Sequence, residues 1–154
     1  MTGAVGIGPI EEIVQALAGD IQLLVICGKN QRLFDRLTKL NLINVKIYPL
    51  IDYVDELMSV SDVILTKAGG LTISESLAKG LPMIFFSSIP GLETSNEKVI
   101  CRSGAGIRVK LVKEIENTLF SLKSNSASYQ DIKQKLTHLK KVTTLRDLSM
   151  EISS

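Results

Sequence analysis

Leu65-Thr66-Lys67-Ala68-Gly69-Gly70-Leu71-Thr72-Ile73-Ser74-Glu75-Ser76-Leu77-Ala78-Lys79-Gly80-Leu81-Pro82 is the stretch on which the fold turns. Residues 62–66 read as a strand, Gly69-Gly70 as a turn, residues 72–79 as a helix stopped by Gly80, and residues 82–86 as the next strand. Strand, helix and strand in that order make one parallel βα crossover. The helix opens at the carboxyl end of the first strand with its amides free, which is where open parallel sheets bind ligands and where a phosphate or ribose sits.

The same alternation extends in both directions and sets the class as α/β, a Rossmann-like parallel sheet with helices on both faces. Upstream, residues 9–18 read as a helix with Pro9 in its first turn and Gly19 past its end, and residues 21–27 as a strand. Asn30 caps a helix running to Leu40, residues 45–48 form a short strand, and Asp52 and Asp55 have capping-box spacing at the start of the next helix. Downstream, residues 87–94 read as a loop, 95–102 as a helix and 105–109 as a strand. Helices over 113–123, 128–142 and 145–152 complete the chain.

The chain has 154 residues, 45% hydrophobic and 22% charged, enough to bury one core and so to form one domain. A formal charge of +2 calls for no nucleic-acid partner, and the basic positions between Lys133 and Arg146 read as a solvated helix face. Ile132, Leu136, Leu139 and Val142 recur there at helical spacing and form a core stripe, with His138 exposed beside it. Cys27 and Cys101 have no CxxC or Cys/His partner, which argues against a disulfide framework or zinc site and fits a reducing, cytoplasmic setting. The longest apolar runs are strand-sized, short of the roughly 20 residues of a membrane span.

The opening Met1-Thr2-Gly3-Ala4-Val5-Gly6-Ile7-Gly8-Pro9 is a glycine-rich loop entering a helix with no strand ahead of it. In a Rossmann unit such a loop follows the first strand, which lies mid-sheet in the order 3-2-1-4-5-6. The reading is therefore of a sheet whose first strand is missing or truncated, unless residues 1–5 supply a stub. Gly3, Gly6 and Gly8 let backbone amides approach a pyrophosphate.

The stretch 65–82 closely resembles the donor-site segment of monogalactosyldiacylglycerol synthases and processive diacylglycerol glucosyltransferases, and more distantly that of the peptidoglycan N-acetylglucosaminyltransferase. The likeness extends to Pro90-Gly91-Leu92-Glu93-Thr94-Ser95-Asn96, to Val25-Ile26-Cys27-Gly28-Lys29-Asn30 and to Gly6-Ile7-Gly8-Pro9-Ile10, covering about residues 1–110 in order. It implies the C-terminal, nucleotide-sugar-binding half of a two-domain GT-B glycosyltransferase, without the N-terminal acceptor half.

By that resemblance Glu75 accepts hydrogen bonds from ribose hydroxyls, while the loop holding Gly3, Gly6 and Gly8 meets the diphosphate together with Gly69, Gly70, Leu71 and Thr72. Glu93 and Asn96 reach the sugar, and the backbone around Ile51 holds uracil. Each residue also has a plainer use. Thr72 and Glu75 have capping-box spacing, Asn96 suits a helix start, Glu93 a solvated loop, and Lys67 a surface or phosphate-side position. Two departures bear on specificity: Leu92 stands where the family commonly has Gln, and Gly3-Ala4-Val5 is less glycine-rich than the family loop.

The resemblance implies hexosyl transfer from a UDP-sugar to diacylglycerol or a related lipid, by direct displacement at the anomeric carbon, with no metal or other cofactor. Consistently, the sequence has no Asp-x-Asp pair of the kind that holds a divalent ion on a diphosphate. The general base and the lipid-facing surface belong to the acceptor domain, so the partners implied are a UDP-sugar and that missing domain, with peripheral placement at a membrane. Two other readings stay open: a stand-alone donor-binding subunit needing a membrane-bound partner, and a non-catalytic nucleotide-binding remnant.

Overall fold

The computed structural model describes residues 9–86 and 95–152. Helices and strands alternate through them: α1 (Ile10–Leu17), β1 (Leu23–Ile26), α2 (Gln31–Lys39), β2 (Val45–Tyr48), α3 (Val54–Ser59), β3 (Ile64–Thr66), α4 (Gly70–Lys79), β4 (Met83–Phe86), α5 (Ser95–Arg102), β5 (Gly106–Val109), α6 (Val112–Ser124) and α7 (Ser126–Ile152). Every strand pairing is parallel, as the βα alternation requires, and the α/β class stands.

Among the described residues the strands form two sheets, β1-β2 and β3-β4-β5. Leu23 lies opposite Val45 and Ile26 opposite Tyr48; Met83 of β4 is paired with Ile64 on one side and Gly106 on the other.

Strand β4 is the most deeply buried element, with Met83, Ile84 and Phe85 each at 1% exposure or less. Apolar side chains at every position follow from burial on both faces of a parallel sheet. Gly106 is next to it because nothing larger fits: a Cβ there would lie 2.9 Å from Ile100 Cγ2 and 3.0 Å from Phe85 Cε2.

The helices cover these sheets with apolar stripes at 3.6-residue spacing. Ile13 and Leu17 of α1 join the core cluster of β3, β4 and β5, while Ile10 and Val14 of the same helix join the smaller cluster of α2 and β1-β2. One short helix thus straddles both half-sheets. On α7, Ile132 and Leu136 are buried and Leu139 packs beside them, so the apolar stripe is core, and His138 is exposed.

Several local expectations change. Asn30 caps α2 as expected, its side chain accepting from Leu33 N at 3.0 Å. The capping box at Asp52 and Asp55 does not form: Tyr53 holds the N-cap and the helix opens at Val54. Asp55 instead pairs with Lys79 Nζ at 2.7 Å. Residues 128–142 and 145–152 are one helix, not two, because Thr143-Thr144 lowers helix propensity by only tenths of a kcal/mol per residue and nothing there breaks the backbone. Gly80 ends α4 in the left-handed region, at φ 61°.

The basic face of α7 is less solvated than its composition suggests. Lys133 Nζ donates to Gly80 O at 2.8 Å and Lys140 Nζ to Ala78 O at 2.6 Å. Both supply donors to carbonyls at the C-terminus of α4, which carry partial negative charge and lack intrahelical partners. Tyr129 of α7 donates to Asp62 O at 3.1 Å; burial, then the Asp62 charge, pushes its phenol up. No helix among the described residues is long and apolar enough to cross a membrane.

Candidate functional site

The site is built at the head of α4. The chain leaves β3 at Thr66, whose hydroxyl donates to Lys67 O at 3.1 Å, and turns tightly, Gly69 N donating to Lys67 O at 2.8 Å. Gly69 is extended, at φ −75° and ψ 136°, and serves as N-cap with no side-chain cap; its carbonyl accepts from Ile73 N at 3.0 Å. The N–H groups of Gly70, Leu71 and Thr72 are left without intrahelical acceptors at the positive end of the helix dipole. With no side chain on Gly69 or Gly70, both exposed, those amides are open to a ligand, an arrangement that suits phosphate oxygens.

The helix begins at Gly70, two residues before the sequence-based start, and this alters two readings. Thr72 is the third helical residue and not a cap, so the Thr72-Glu75 capping box does not exist. Glu75 is half-buried, and its carboxylate has no hydrogen-bond or ion-pair partner among the described residues. On a helix Glu75 shares a face with Leu71 and Thr72, four and three residues ahead of it. Leu71 is exposed to 75%. A carboxylate held partly out of water beside open amides has acceptor capacity left for ligand hydroxyls. The hydroxyls of Ser74 and Ser76 are spent on the helix itself, donating to Gly70 O at 3.1 Å and Thr72 O at 2.7 Å.

Asn96 comes to this site from the next βα unit. A methyl group on Gly70 would lie 3.6 Å from Asn96 Nδ2, so the amide stands against the first residue of α4. What positions it was not visible in the sequence. Its neighbour Glu97 is buried to 3% exposure and pairs with Arg108 Nε of β5 at 3.0 Å, fixing the head of α5 against the sheet. The sequence signal is weak: Glu97 shares a helix face with buried Ile100, an unusual place for a carboxylate without a partner.

The structure therefore brings Gly69, Gly70, Leu71, Thr72, Glu75 and Asn96 together. Ile51 stands apart, at the carboxyl end of β2 in the other sheet, in a loop braced by an edge-to-face contact of Tyr48 and Tyr53 with centroids 6.5 Å apart. Gly3, Gly6, Gly8 and Glu93 lie outside the described residues. Lys67 is half-buried in the turn.

Comparison with known proteins identifies the family and the fold. The family described as glycosyltransferase family 28 C-terminal domain matches residues 9–145. The chain is 38% identical over 128 residues to a probable chloroplastic monogalactosyldiacylglycerol synthase of Nicotiana tabacum, covering 76% of this chain and 24% of that protein. It is 32% identical over 145 residues to the processive diacylglycerol beta-glucosyltransferase of Bacillus subtilis, covering 90% of this chain and 38% of that one. The chain thus spans well under half the length of these relatives. Among solved structures it resembles Acinetobacter baumannii MurG, with TM-score 0.69, 20% identity and 90% and 44% of the two chains covered. It also resembles WaaG, a glycosyltransferase involved in lipopolysaccharide biosynthesis, with TM-score 0.66, 17% identity and 91% and 40% covered. Identities this low speak to the fold alone, and both neighbours carry the fold expected from the sequence.

Proposed function

Because the chain belongs to the glycosyltransferase family 28 C-terminal domain family, whose pattern spans residues 9–145, we propose that it is the donor-binding part of a hexosyltransferase. It holds a UDP-sugar at the head of α4 and works with an acceptor-binding part to place the hexose on diacylglycerol or a related lipid. The observation that carries this reading is the half-buried Glu75, unpartnered among the described residues, beside the open amides of Gly70, Leu71 and Thr72.

In this reading the amides of α4 and the loop of Gly3, Gly6 and Gly8 take the diphosphate, Glu75 accepts from the ribose hydroxyls, Asn96 and Glu93 reach the hexose, and the backbone around Ile51 holds uracil. Displacement at the anomeric carbon leaves negative charge on the departing UDP. Amides already aligned with a helix dipole stabilise that charge without reorganising, and no metal takes part. The base that deprotonates the acceptor hydroxyl comes from the acceptor part. The enzyme sits at a membrane surface peripherally, through that part.

The test is calorimetric titration of the folded chain with UDP. Glu75→Ala weakens binding by about 1.5–3 kcal/mol, tenfold or more in Kd, because a hydrogen bond to a charged acceptor is lost. A chain that circular dichroism shows to be folded and that binds no UDP refutes the reading and leaves a non-catalytic remnant.

A further inference from the structure

Helix α5 lies on β5 with a charged residue where an apolar one would be ordinary. Glu97 and Ile100 form its buried face, and Gly106 and Arg108, alternate residues of β5, share the strand face beneath it. A Cβ on Gly106 would lie 2.9 Å from Ile100 Cγ2, and Glu97 Oε1 is 3.0 Å from Arg108 Nε. The turn between the two elements is closed by Ala105 N, which donates to Ile100 O at 3.2 Å. Arg108 is itself fixed opposite Phe85 in the ladder of β4 and β5. Two contacts on one helix face therefore set both where α5 sits along the strand and how it is turned.

Stability does not account for the choice of an ion pair. Desolvating a carboxylate and a guanidinium offsets much of their attraction, and a well-packed apolar pair of similar volume is commonly as stable or more so. What the ion pair adds is distance and direction, because an apolar contact tolerates a slide or a rotation that a 3.0 Å charged contact does not. The residue that depends on this is Asn96, immediately ahead of Glu97. It is exposed, its amide has no hydrogen-bond partner among the described residues, and its Nδ2 stands 3.6 Å from where a Cβ on Gly70 would lie. An amide offers donors and an acceptor to a ligand with several hydroxyls, so a small shift of α5 changes which of them it reaches.

Resting on the proposed function, in which Asn96 reaches the hexose, we infer that the Glu97–Arg108 pair is a positioning device for sugar recognition. The two residues touch no ligand and act through Asn96, holding its amide at the head of α4. Selectivity for the sugar is thus set from beneath α5, on its sheet side. The amides of Gly70, Leu71 and Thr72 belong to α4 and do not hang on α5, so the pair governs the sugar half of the ligand more than its UDP half.

The test is calorimetric titration of the full chain with UDP, UDP-glucose and UDP-galactose, read as the ratio of UDP-hexose to UDP affinity for the tighter-binding sugar. Asn96→Ala lowers this ratio about two- to tenfold, the worth of one neutral hydrogen bond. The double variant Glu97→Met/Arg108→Met exchanges the ion pair for apolar side chains of similar length. It keeps a urea midpoint at or above that of the parent and lowers the ratio as Asn96→Ala does. Adding Asn96→Ala to it changes the ratio less than about twofold, because the three residues act as a unit. Glu97→Gln gives the same loss of ratio and serves where the double variant does not fold. A pair that is merely structural weakens UDP and UDP-hexose together and leaves the ratio at the parent value, which overturns the inference. So do losses that multiply when the variants are combined. A folded parent that binds no UDP overturns the proposed function before any variant is made, whereas a parent that binds UDP, with an unchanged ratio in Glu97→Gln, overturns the positioning role alone.

Discussion

At the scale of single residues, two glycines separate ligand access from packing. Gly70 has room for a methyl group, which would meet Asn96 Nδ2 at an ordinary 3.6 Å. Gly70→Ala is therefore expected to leave stability within about 1 kcal/mol of the parent, since alanine favours a helix by about that much over glycine, while lowering UDP affinity by covering the open amides. Gly106→Ala is the opposite case, with contacts of 2.9 and 3.0 Å to Ile100 and Phe85 that cost about 1–3 kcal/mol through overpacking. Urea denaturation paired with UDP titration of both variants checks the contrast; a Gly70→Ala chain that binds like the parent removes the α4 amides from the site. Cys27 gives a pH prediction. It is buried, and burial pushes its thiol up, so the unfolded chain ionises first. That stability is fully present below the ordinary thiol range and is lost as pH rises above about 8.5, and Cys27→Ala flattens the decline in urea midpoint. The residue types of the candidate site were legible in the sequence, since the Gly69-Gly70 turn and Glu75 stand out there. That Glu75 has no partner among the described residues was not, because the sequence cannot tell a helix starting at Gly70 from one starting at Thr72, and only the second gives Glu75 a threonine to cap.

At the scale of elements, strands and helices were legible because burial on both faces writes continuous apolar runs, and one-sided burial writes stripes. Their ends were less so. Asp52 and Asp55 have capping spacing, yet the helix opens at Val54, because Asp55 finds Lys79 on another element. The lysines of α7 show the same limit. Composition marks them as solvated, but Lys133 and Lys140 close the C-terminus of α4 through contacts 53 and 62 residues apart in sequence. Lys133→Met is accordingly expected to cost about 0.5–1.5 kcal/mol, the net worth of one hydrogen bond. Lys135→Met, which removes only an exposed pair with Asp131 one turn away, costs about 0.5 kcal/mol or less. Leu136→Ala, at a site of 0% exposure, costs about 2–5 kcal/mol. Thermal melts should show the largest loss for Leu136→Ala, a smaller one for Lys133→Met and the smallest for Lys135→Met, and a Lys135 effect equal to that of Lys133 counts against a capping role for α7.

At the scale of the whole molecule, the parallel βα alternation was legible in the order of apolar runs and helical stripes, whereas the division of the described strands into two sheets held by one straddling helix needed the pairing pattern to be seen. The proposed nucleotide site belongs to the three-stranded side, with α4 following β3 and α5 following β4, and its geometry is closed by the Glu97–Arg108 pair within that side. Ile51, which the family resemblance assigns to uracil, follows β2 on the other side. In the proposed function UDP binding therefore ties the two sheets together, and a ligand that binds only the folded state stabilises it by mass action. At about a hundred times its Kd, UDP adds about 2.7 kcal/mol and raises Tm by about 5–10 °C for a chain of this size. Ribose alone, with no uracil or phosphate to reach the other contacts, should leave Tm unchanged at the same concentration. Turnover is a separate matter, because in the proposed function the base and the lipid surface come from the acceptor part. Incubated with UDP-hexose and diacylglycerol vesicles, the chain is expected to show the UDP-dependent rise in Tm and to form no glycolipid. Glycolipid made by the chain alone would place the base within it, whereas a flat Tm in a folded chain would mean that the half-sheets share no ligand.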